Sequence, residues 1–188
     1  MNHTTLLNLI ADKYRFKTYL EIGVQDPRNN FERINCAKKT GVDPVAMSPK
    51  IWEGTSDAFF EQNTKLFDLV FIDGLHHADQ VKKDFDNSLE VLNEYGFIVI
   101  HDCLPKDEVT SLVPRESKMW HGDVYKFIMT LCQYDGIEFT TYDFDNGCCV
   151  VRRKAGKSGV QSDVELTWES YLANGKKIMN ISNGPINI

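Results

Sequence analysis

Two short polar segments contain the residues best suited to chemistry. The first is Asp73-Gly74-Leu75-His76-His77, and the second is His101-Asp102. Carboxylate oxygens bind hard divalent cations, and a neutral imidazole can take a proton from a hydroxyl group. If Asp73 and Asp102 lie close together, one of their pKa values should rise unless a cation lies between them. The two segments therefore predict a cation such as Mg²⁺ held by Asp73 and Asp102, with a histidine as general base.

Each polar segment follows an apolar run with the composition of a buried strand. Residues 69–72 precede Asp73, and residues 97–100 precede the second segment. Apolar residues between the two runs recur at helical spacing and predict a helix over residues 78–95. A strand, a crossover helix and a second strand imply a parallel pair. Because ligands bind beyond the carboxyl ends of such strands, we expect Asp73 and Asp102 to face a ligand.

Strand and helix patterns alternate along the rest of the chain. Further strands are predicted over residues 18–22, 40–44, 50–53, 137–144 and 148–153. Helices are predicted near residues 6–14, 31–38, 58–62 and 124–131. The Asp145-Asn146-Gly147 turn predicts a hairpin, so the last strand should run antiparallel to its neighbours. The predicted fold is a doubly wound, Rossmann-like α/β domain with a mostly parallel sheet and a C-terminal antiparallel hairpin strand.

The domain boundary is predicted at residue 153. Residues 1–153 form the main domain, and residues 154–188 form a basic linker and a short C-terminal helix packed on that domain. The segment Ser162-Asp163-Val164-Glu165 has a capping-box pattern that predicts where this helix begins. Asn174-Gly175 predicts where it ends.

Composition excludes several classes of function. The formal net charge of −6 disfavours phosphate-driven binding of nucleic acid, and no apolar run is long enough to cross a bilayer. The N-terminal residues lack the basic segment of a secretory signal. The five cysteines show no framework spacing and indicate reduced thiols. We therefore expect a cytoplasmic protein with a small-molecule partner and no membrane or nucleic-acid partner, and a homodimer is one option for its oligomeric state.

The end of the first predicted strand indicates a nucleoside cofactor. Glu21-Ile22-Gly23 places a glycine directly after that strand. Asp43 follows about twenty residues later, which is the spacing of the ribose-binding acid in Rossmann-like folds. The pattern alone does not separate S-adenosylmethionine from NAD, although the absence of a G-x-G-x-x-G run counts against NAD.

The order of these motifs over residues 15–153 resembles the class I S-adenosylmethionine-dependent methyltransferases. The Asp-Gly-x-His segment, followed by a helix and a strand ending in His-Asp, is similar to the macrocin-type small-molecule O-methyltransferases and their bacterial relatives. This resemblance implies methyl transfer to a hydroxyl group of a small molecule, such as a sugar or a glycan precursor. The residues that it implies for cofactor binding are Glu21, Gly23, Asp43, Ser56, Asp57 and Asp73. It also implies His76 and Asp73 as catalytic residues, and Asp73 and Asp102 as ligands of a metal, with Mg²⁺ as the candidate ion.

Two positions depart from the family pattern. Gln25, Asp26, Pro27 and Arg28 stand where the usual first motif has further glycines. Cys103 stands where catechol-type enzymes carry an Asn metal ligand, which leaves the third protein ligand unassigned. Two rival interpretations therefore stay open. One is a non-catalytic nucleoside-binding or assembly protein of the same fold, and the other is an NAD-dependent oxidoreductase.

The two adjacent histidines and one tryptophan near these motifs also have alternative interpretations. His76 and His77 should open a helix, whose dipole lowers an imidazole pKa, although a histidine there can also bond to the local backbone. Trp120 ends a long loop that contains Pro105 and Pro114. Its indole could stack on a substrate and close the site, or it could anchor the loop.

Overall fold

The computed structural model describes residues 1–156 and 164–188, which share one eight-stranded sheet. The strands are β1 (Thr18–Ile22), β2 (Lys38–Asp43), β3 (Ile51–Glu53), β4 (Phe67–Ile72), β5 (Leu92–Ile100), β6 (Ile137–Tyr142), β7 (Cys148–Arg153) and β8 (Ile181–Ser182). Their order in the sheet is β3-β2-β1-β4-β5-β7-β6-β8. Strands β1 to β5 pair in parallel, whereas β7 runs antiparallel to both β5 and β6. The predicted doubly wound sheet with an antiparallel hairpin strand is therefore confirmed.

Six α-helices lie within the described ranges and connect or flank the strands. They are α1 (His3–Tyr14), α2 (Ser56–Gln62), α3 (Ala78–Glu90), α4 (Glu108–Ser111), α5 (Val124–Thr130) and α6 (Trp168–Ile178). Short 3₁₀ turns occupy Phe31–Arg33 and Leu131–Gln133. In the part of the chain that the structure describes, no helix combines the length and apolar character needed to span a membrane.

The two faces of the sheet are covered unequally. Helices α2, α3, α5 and α6 pack on one face, whereas α1 and the Phe31–Arg33 turn pack on the other. Cys148 and Cys149 lie in opposite cores, as adjacent strand residues should. Because both faces of the central strands are buried, residues 69–72 of β4 and residues 97–100 of β5 form continuous apolar runs.

The predicted crossover helix is too long at its C-terminal end. Helix α3 ends at Glu90, and β5 already begins at Leu92 instead of Gly96. Leu92 pairs with Phe67, and an irregularity in β4 then brings Leu69 opposite Phe97. The position of Leu92 matches the helical spacing of the apolar residues in α3. Leu92 nevertheless belongs to β5, because it pairs with Phe67 of β4.

One predicted helix and two unpredicted elements also distinguish the structure from the sequence-based prediction. The helix expected over residues 31–38 is only the 3₁₀ turn, because Ile34 is extended and Lys38 already pairs with Thr18 in the sheet. The long loop after Asp102 contains α4, whose N-cap Asp107 accepts a hydrogen bond from the Thr110 amide. Strand β8, which pairs in parallel with β6, was not predicted.

The C-terminal helix is also displaced from its predicted limits. It begins at Trp168, where the Thr167 side chain accepts a hydrogen bond from the Ser170 amide. It continues through Gly175, which is buried against Tyr171, so this glycine provides close packing within the helix. Ser162 and Asp163 of the predicted capping box, and part of the predicted basic linker, lie outside the described residues. The boundary at residue 153 stays a prediction.

Candidate active site

The candidate residues meet at the carboxyl edge of the parallel strands. Val42, Ile22, Ile72 and Ile100 lie in register across β2, β1, β4 and β5. The residues that follow them are therefore side by side, and they include Asp43, Gly23, Asp73 and His101. His101 is thus the register equivalent of Asp73, whereas Asp102 lies one residue further on. Asp102 has a left-handed backbone with φ of 56° and is buried.

The side chain of His76 lies between the two carboxylates. Its Nε2 atom is 3.5 Å from Oδ1 of Asp73, and its Nδ1 atom is 3.4 Å from Oδ2 of Asp102. The sequence-based expectation brought Asp73, Asp102 and His76 to one site, with a cation between the carboxylates. The structure brings the three side chains together, with the imidazole ring adjacent to both carboxylates.

A segment of the long loop holds His76 in place. Trp120 stacks on the imidazole, with ring centroids 5.3 Å apart. Gly122 has φ of 64°, and a Cβ atom there would lie 1.8 Å from the carbonyl oxygen of His76. Asp123 Oδ1 accepts a hydrogen bond of 2.7 Å from the amide of Ala78, the first residue of α3. Residues 120–123 thereby fix both the ring of His76 and the helix that follows it.

The charges in this cluster shift the pKa values of its members in opposite directions. Burial raises the pKa of Asp102, and the charge of Asp73 adds to this effect. Burial also acts to raise the pKa of Asp73, but His101 and His76 outweigh it and hold this pKa well below its usual range. The pKa values of the two carboxyl groups therefore move apart, with Asp102 the weaker acid and Asp73 the stronger one, as expected for two close carboxylates.

The pKa of His76 contradicts the sequence-based expectation. Helix α3 begins at Ala78, so His76 lies before the helix and not within its first turn. Burial lowers the pKa of His76, but Asp73 and Asp102 outweigh burial and raise it above its usual value. The two carboxylates thus determine the charge of this imidazole, and the helix dipole does not lower its pKa overall.

The donor set fits a divalent cation. Asp73, His76 and Asp102 each offer a ligand atom, and these atoms lie within 4.8 Å of one another. Oδ1 of Asp102 and Nδ1 of His76 are buried, and neither has a hydrogen-bond partner among the described residues. Two carboxylates suit Mg²⁺ or Mn²⁺, and an imidazole beside them that does not bind the ion stays available to take a proton.

Asp43 lies at the adjacent end of β2 and binds two loop amides. Its Oδ2 accepts a hydrogen bond of 2.8 Å from Gln25, and its Oδ1 accepts one of 2.8 Å from Val45. Each carboxylate oxygen has further lone-pair capacity beyond one amide. The carboxylate is therefore fixed in position by the loops after β1 and β2 and can still accept ribose hydroxyls.

Glu21 and Gly23 shape the loop after β1. The Glu21 carboxylate is buried, and its Oε2 accepts hydrogen bonds from the Tyr19 hydroxyl at 2.5 Å and from Asn30 Nδ2 at 2.9 Å. Burial raises the pKa of Glu21 to about 8. Gly23 has φ of 85°, and a Cβ atom there would lie 2.3 Å from the carbonyl oxygen of Asp73. This glycine is thus required for close contact between the ends of β1 and β4.

Ser56 and Asp57 lie in the first turn of α2 and contact α3. Gln80 Nε2 donates hydrogen bonds to Ser56 Oγ at 3.2 Å and to Asp57 Oδ1 at 2.9 Å. Lys83 Nζ also lies 3.7 Å from Asp57 Oδ2. These contacts fix the position of α2 against α3, and the predicted contact with adenine stays a prediction.

Several residues of the site were not assigned from the sequence. Asn30 holds Glu21, Trp120 and Asp123 hold His76, and His101 lies 3.1 Å from Asp73. His121 is 1% exposed, and neither ring nitrogen has a hydrogen-bond partner within the described ranges. The sequence singled out His101 and Trp120 without a fixed role for either, and the hairpin signal marked the turn that carries Asp145.

Two surface cavities lie away from these residues. Their volumes are about 350 and 450 Å³, and both are lined by Phe97, Glu138 and Arg152. Phe97 is near the start of the paired part of β5, whereas the candidate site lies beyond its end at Ile100. Neither cavity contains a predicted site residue.

A family model matches the part of the chain that contains these residues. Residues 15–103 match the family described as a methyltransferase domain, and this range contains all the predicted site residues. A comparison with curated proteins gives no match.

Solved structures with a similar fold include three methyltransferases. An O-methyltransferase from Bacillus cereus, in complex with S-adenosylhomocysteine, is 13% identical with a TM-score of 0.61 over 80% of each chain. TomG from Streptomyces achromogenes, in complex with S-adenosylmethionine, is 15% identical with a TM-score of 0.59 over 81% of this chain and 79% of that one. MycE from the mycinamycin biosynthetic pathway, in complex with Mg, S-adenosylhomocysteine and mycinamycin VI, is 16% identical with a TM-score of 0.55. That alignment covers 85% of this chain and 50% of MycE. The fold predicted from the sequence is therefore confirmed.

Proposed function

We propose that this chain, whose residues 15–103 match a family described as a methyltransferase domain, methylates a hydroxyl group of a small molecule. The observation that carries the proposal is the convergence of Asp73, His76 and Asp102 at the carboxyl edge of the sheet. S-adenosylmethionine is the proposed methyl donor, since it supplies an activated methyl group when bound. The protein then has to align the acceptor oxygen and remove its proton.

The proposed cofactor site lies at the ends of β1 and β2. Asp43 would accept the ribose hydroxyls, because its two oxygens are already oriented by loop amides. Gly23 would bring the β1 loop against Asp73, and Glu21 would order that loop through Asn30. Ser56 and Asp57 would lie beside the adenine, as the family resemblance implies.

His76 is the proposed general base. It lies between two carboxylates and is held by Trp120, so its ring is oriented before any acceptor binds. A divalent cation bound by Asp73 and Asp102 would offset their negative charge and lower the pKa of an acceptor hydroxyl. With that negative charge offset, the imidazole of His76 can take the hydroxyl proton at neutral pH.

The acceptor class that we propose is a hydroxylated small molecule such as a sugar or a glycan precursor. Trp120 supports this proposal, because its indole stacks on His76 and so places an aromatic ring, the kind of group on which sugar rings pack, beside the proposed base. The net charge of −6 disfavours a nucleic-acid acceptor. A cytoplasmic location and a homodimeric state remain predictions that go with this proposal.

The direct test is transfer of radiolabelled methyl groups from S-adenosylmethionine to a panel of glycosides and catechols with added Mg²⁺. We expect wild-type protein to label at least one hydroxylated acceptor. His76→Ala should reduce the rate by about 10²–10⁴-fold, which is the usual contribution of a general base. The matched control is His77→Ala, which removes the neighbouring imidazole that contacts Trp120 but not the carboxylates. Equal activity of His76→Ala and wild type would exclude His76 as the base.

A further inference from the structure

A second group of potential ligands lies beside the candidate active site. It consists of His3 from α1, His101 from the end of β5 and Asp145 from the turn between β6 and β7. Nδ1 of His3 lies 2.7 Å from Oδ2 of Asp145, and Nε2 of His101 lies 3.6 Å from the same oxygen. The ligand atoms of the three residues all lie within 4.8 Å of one another. None of them is needed by the methyl transfer proposed above.

The ring of His101 lies between two carboxylates, with one nitrogen toward Asp73 and the other toward Asp145. Its Nδ1 lies 3.1 Å from Oδ1 of Asp73, so the neutral ring can donate this N–H to a carboxylate. That tautomer leaves the lone pair on Nε2, which points toward Asp145. Histidines that bind metal commonly donate their other N–H to a carboxylate, which fixes both tautomer and ring orientation.

The Nε2 atom of His101 makes no hydrogen bond of normal length, and its nearest charged neighbour is Asp145. His101 is 8% exposed, and this buried nitrogen has no hydrogen-bond partner among the described residues. The 3.6 Å distance to Asp145 is too long for a hydrogen bond. A buried nitrogen without a partner destabilises the fold unless another group satisfies it. A bound ion between the three side chains would supply the missing partner.

The surrounding contacts hold the other two ligands in place. The His3 ring stacks on Phe71, with centroids 5.3 Å apart and an angle of 21°. The His3 amide donates a hydrogen bond of 2.7 Å to Oδ2 of Asp145. The β6–β7 turn that carries Asp145 is also held in place, because the amides of Cys103 and Leu104 donate hydrogen bonds to carbonyl groups of this turn. The cluster is therefore preorganised by all three elements.

We propose that His3, His101 and Asp145 bind a divalent transition-metal ion with the ligand preference of Zn²⁺. Two imidazoles and one carboxylate form a common protein donor set for this ion, and water completes its coordination. The Asp73 carboxylate would be the outer partner of His101, which connects the proposed ion to the candidate active site without sharing a ligand atom. The ion would fasten α1 and the β6–β7 turn to the end of β5.

The first test measures Zn²⁺ affinity on untagged full-length protein that has been stripped of metal with a chelator. Titration in competition with a chromophoric chelator should reveal a Zn²⁺ site in the wild type. His3→Ala and Asp145→Asn should each weaken this site by at least about tenfold. His77→Ala, a histidine outside the cluster, and Asp102→Asn, a change in the neighbouring carboxylate site, should both retain it. Circular dichroism of the metal-free variants checks that they fold.

A second measurement keeps the proposal testable if a variant fails to fold. Imidazole ¹H–¹⁵N correlation spectra of the wild type should show that Zn²⁺ shifts the resonances of His3 and His101 and leaves those of His77 in place. The contrary arrangement is a protonated His101 held by Asp73 and Asp145, which would be an ion-pair network without metal. Unchanged His101 resonances at saturating Zn²⁺, or equal affinity in His3→Ala and wild type, would overturn the proposal.

Discussion

The indole of Trp120 stacks on the imidazole of His76 with an angle of 26° between the two ring planes. The same indole donates a hydrogen bond of 2.7 Å from Nε1 to the carbonyl oxygen of Leu112. The guanidinium of Arg115 also lies 5.8 Å from the ring centroid. Trp120 therefore connects the long loop after β5 to the proposed base, and it is both an anchor of the loop and a wall of the site.

Removing this indole should impair catalysis more than cofactor binding. Trp120→Ala removes a stacking contact worth about 0.5–1.5 kcal/mol, so we expect kcat/KM to fall by about 2- to 10-fold. Trp120→Phe retains an aromatic face without the Nε1 hydrogen bond and should recover most of the loss. Steady-state kinetics, with S-adenosylhomocysteine affinity measured alongside, would distinguish these effects. A fall in cofactor affinity as large as the fall in kcat/KM would contradict the role given to Trp120.

Gly23→Ala should destabilise the fold. The new Cβ would lie 2.3 Å from the carbonyl oxygen of Asp73, at a backbone φ of 85°. Gly136→Ala is a matched control, because Gly136 has φ of 78° and no atom within 4 Å of a built Cβ. Placing an alanine in the left-handed backbone region costs about 1–2 kcal/mol at either position. The steric clash with Asp73 should add to this cost only at Gly23. Urea denaturation measures both variants, and equal losses in free energy of unfolding would show that Gly23 is not packed as described.

The stability of the protein should depend on the proton carried by Glu21. Burial raises the pKa of Glu21 from 4.5 to about 8, so the folded state keeps a proton that the unfolded state loses over this range. The folded state then binds more protons, and the free energy of unfolding falls as pH rises between these values. The contribution of this group is at most about 1.4 kcal/mol per pH unit.

The variant Glu21→Gln cannot titrate at this position. Its free energy of unfolding should therefore fall less than that of the wild type between pH 5 and pH 8. Denaturant unfolding at several pH values provides the comparison. Parallel curves for the two proteins would mean that Glu21 is ionised in the folded state.

Asp102→Asn tests the metal part of the proposed function. The substitution removes a charge but keeps an oxygen, so the variant should lose activity that excess Mg²⁺ partly restores. Chelation by EDTA should abolish wild-type activity, and S-adenosylhomocysteine should still bind to the variant. Full activity of the wild type in EDTA would exclude a cation from the reaction and leave Asp102 with a structural role.

Much of the fold could be predicted because the central strands have local signals. The apolar runs before Asp73 and His101 identify two buried parallel strands, and the Asp145 turn identifies the hairpin. The early start of β5 at Leu92 could not be predicted, because the pairing of Leu92 with Phe67 depends on a partner 25 residues away. Local spacing alone favoured the helix at this position.

The candidate site was predictable only in part for a similar reason. Asp73, His76 and Asp102 were identified because they lie in the short polar segments that follow β4 and β5. The position of His76 between the carboxylates depends on Trp120 and Asp123, which belong to a distant loop without a periodic pattern. The contact between His3 and Asp145 joins residues 142 positions apart and has no signal in the sequence.

Calorimetric titration with S-adenosylhomocysteine tests the central claim of a methyltransferase cofactor site most directly. We expect saturable binding to the wild type and no competition by NAD. Asp43→Ala should weaken this binding by more than about tenfold, because it removes charge-assisted hydrogen bonds worth about 1.5–3 kcal/mol. Asp79→Ala, at an exposed position in the first turn of α3, should leave the affinity unchanged. Absence of binding to the wild type, or equal affinity in Asp43→Ala, would contradict the proposed cofactor site.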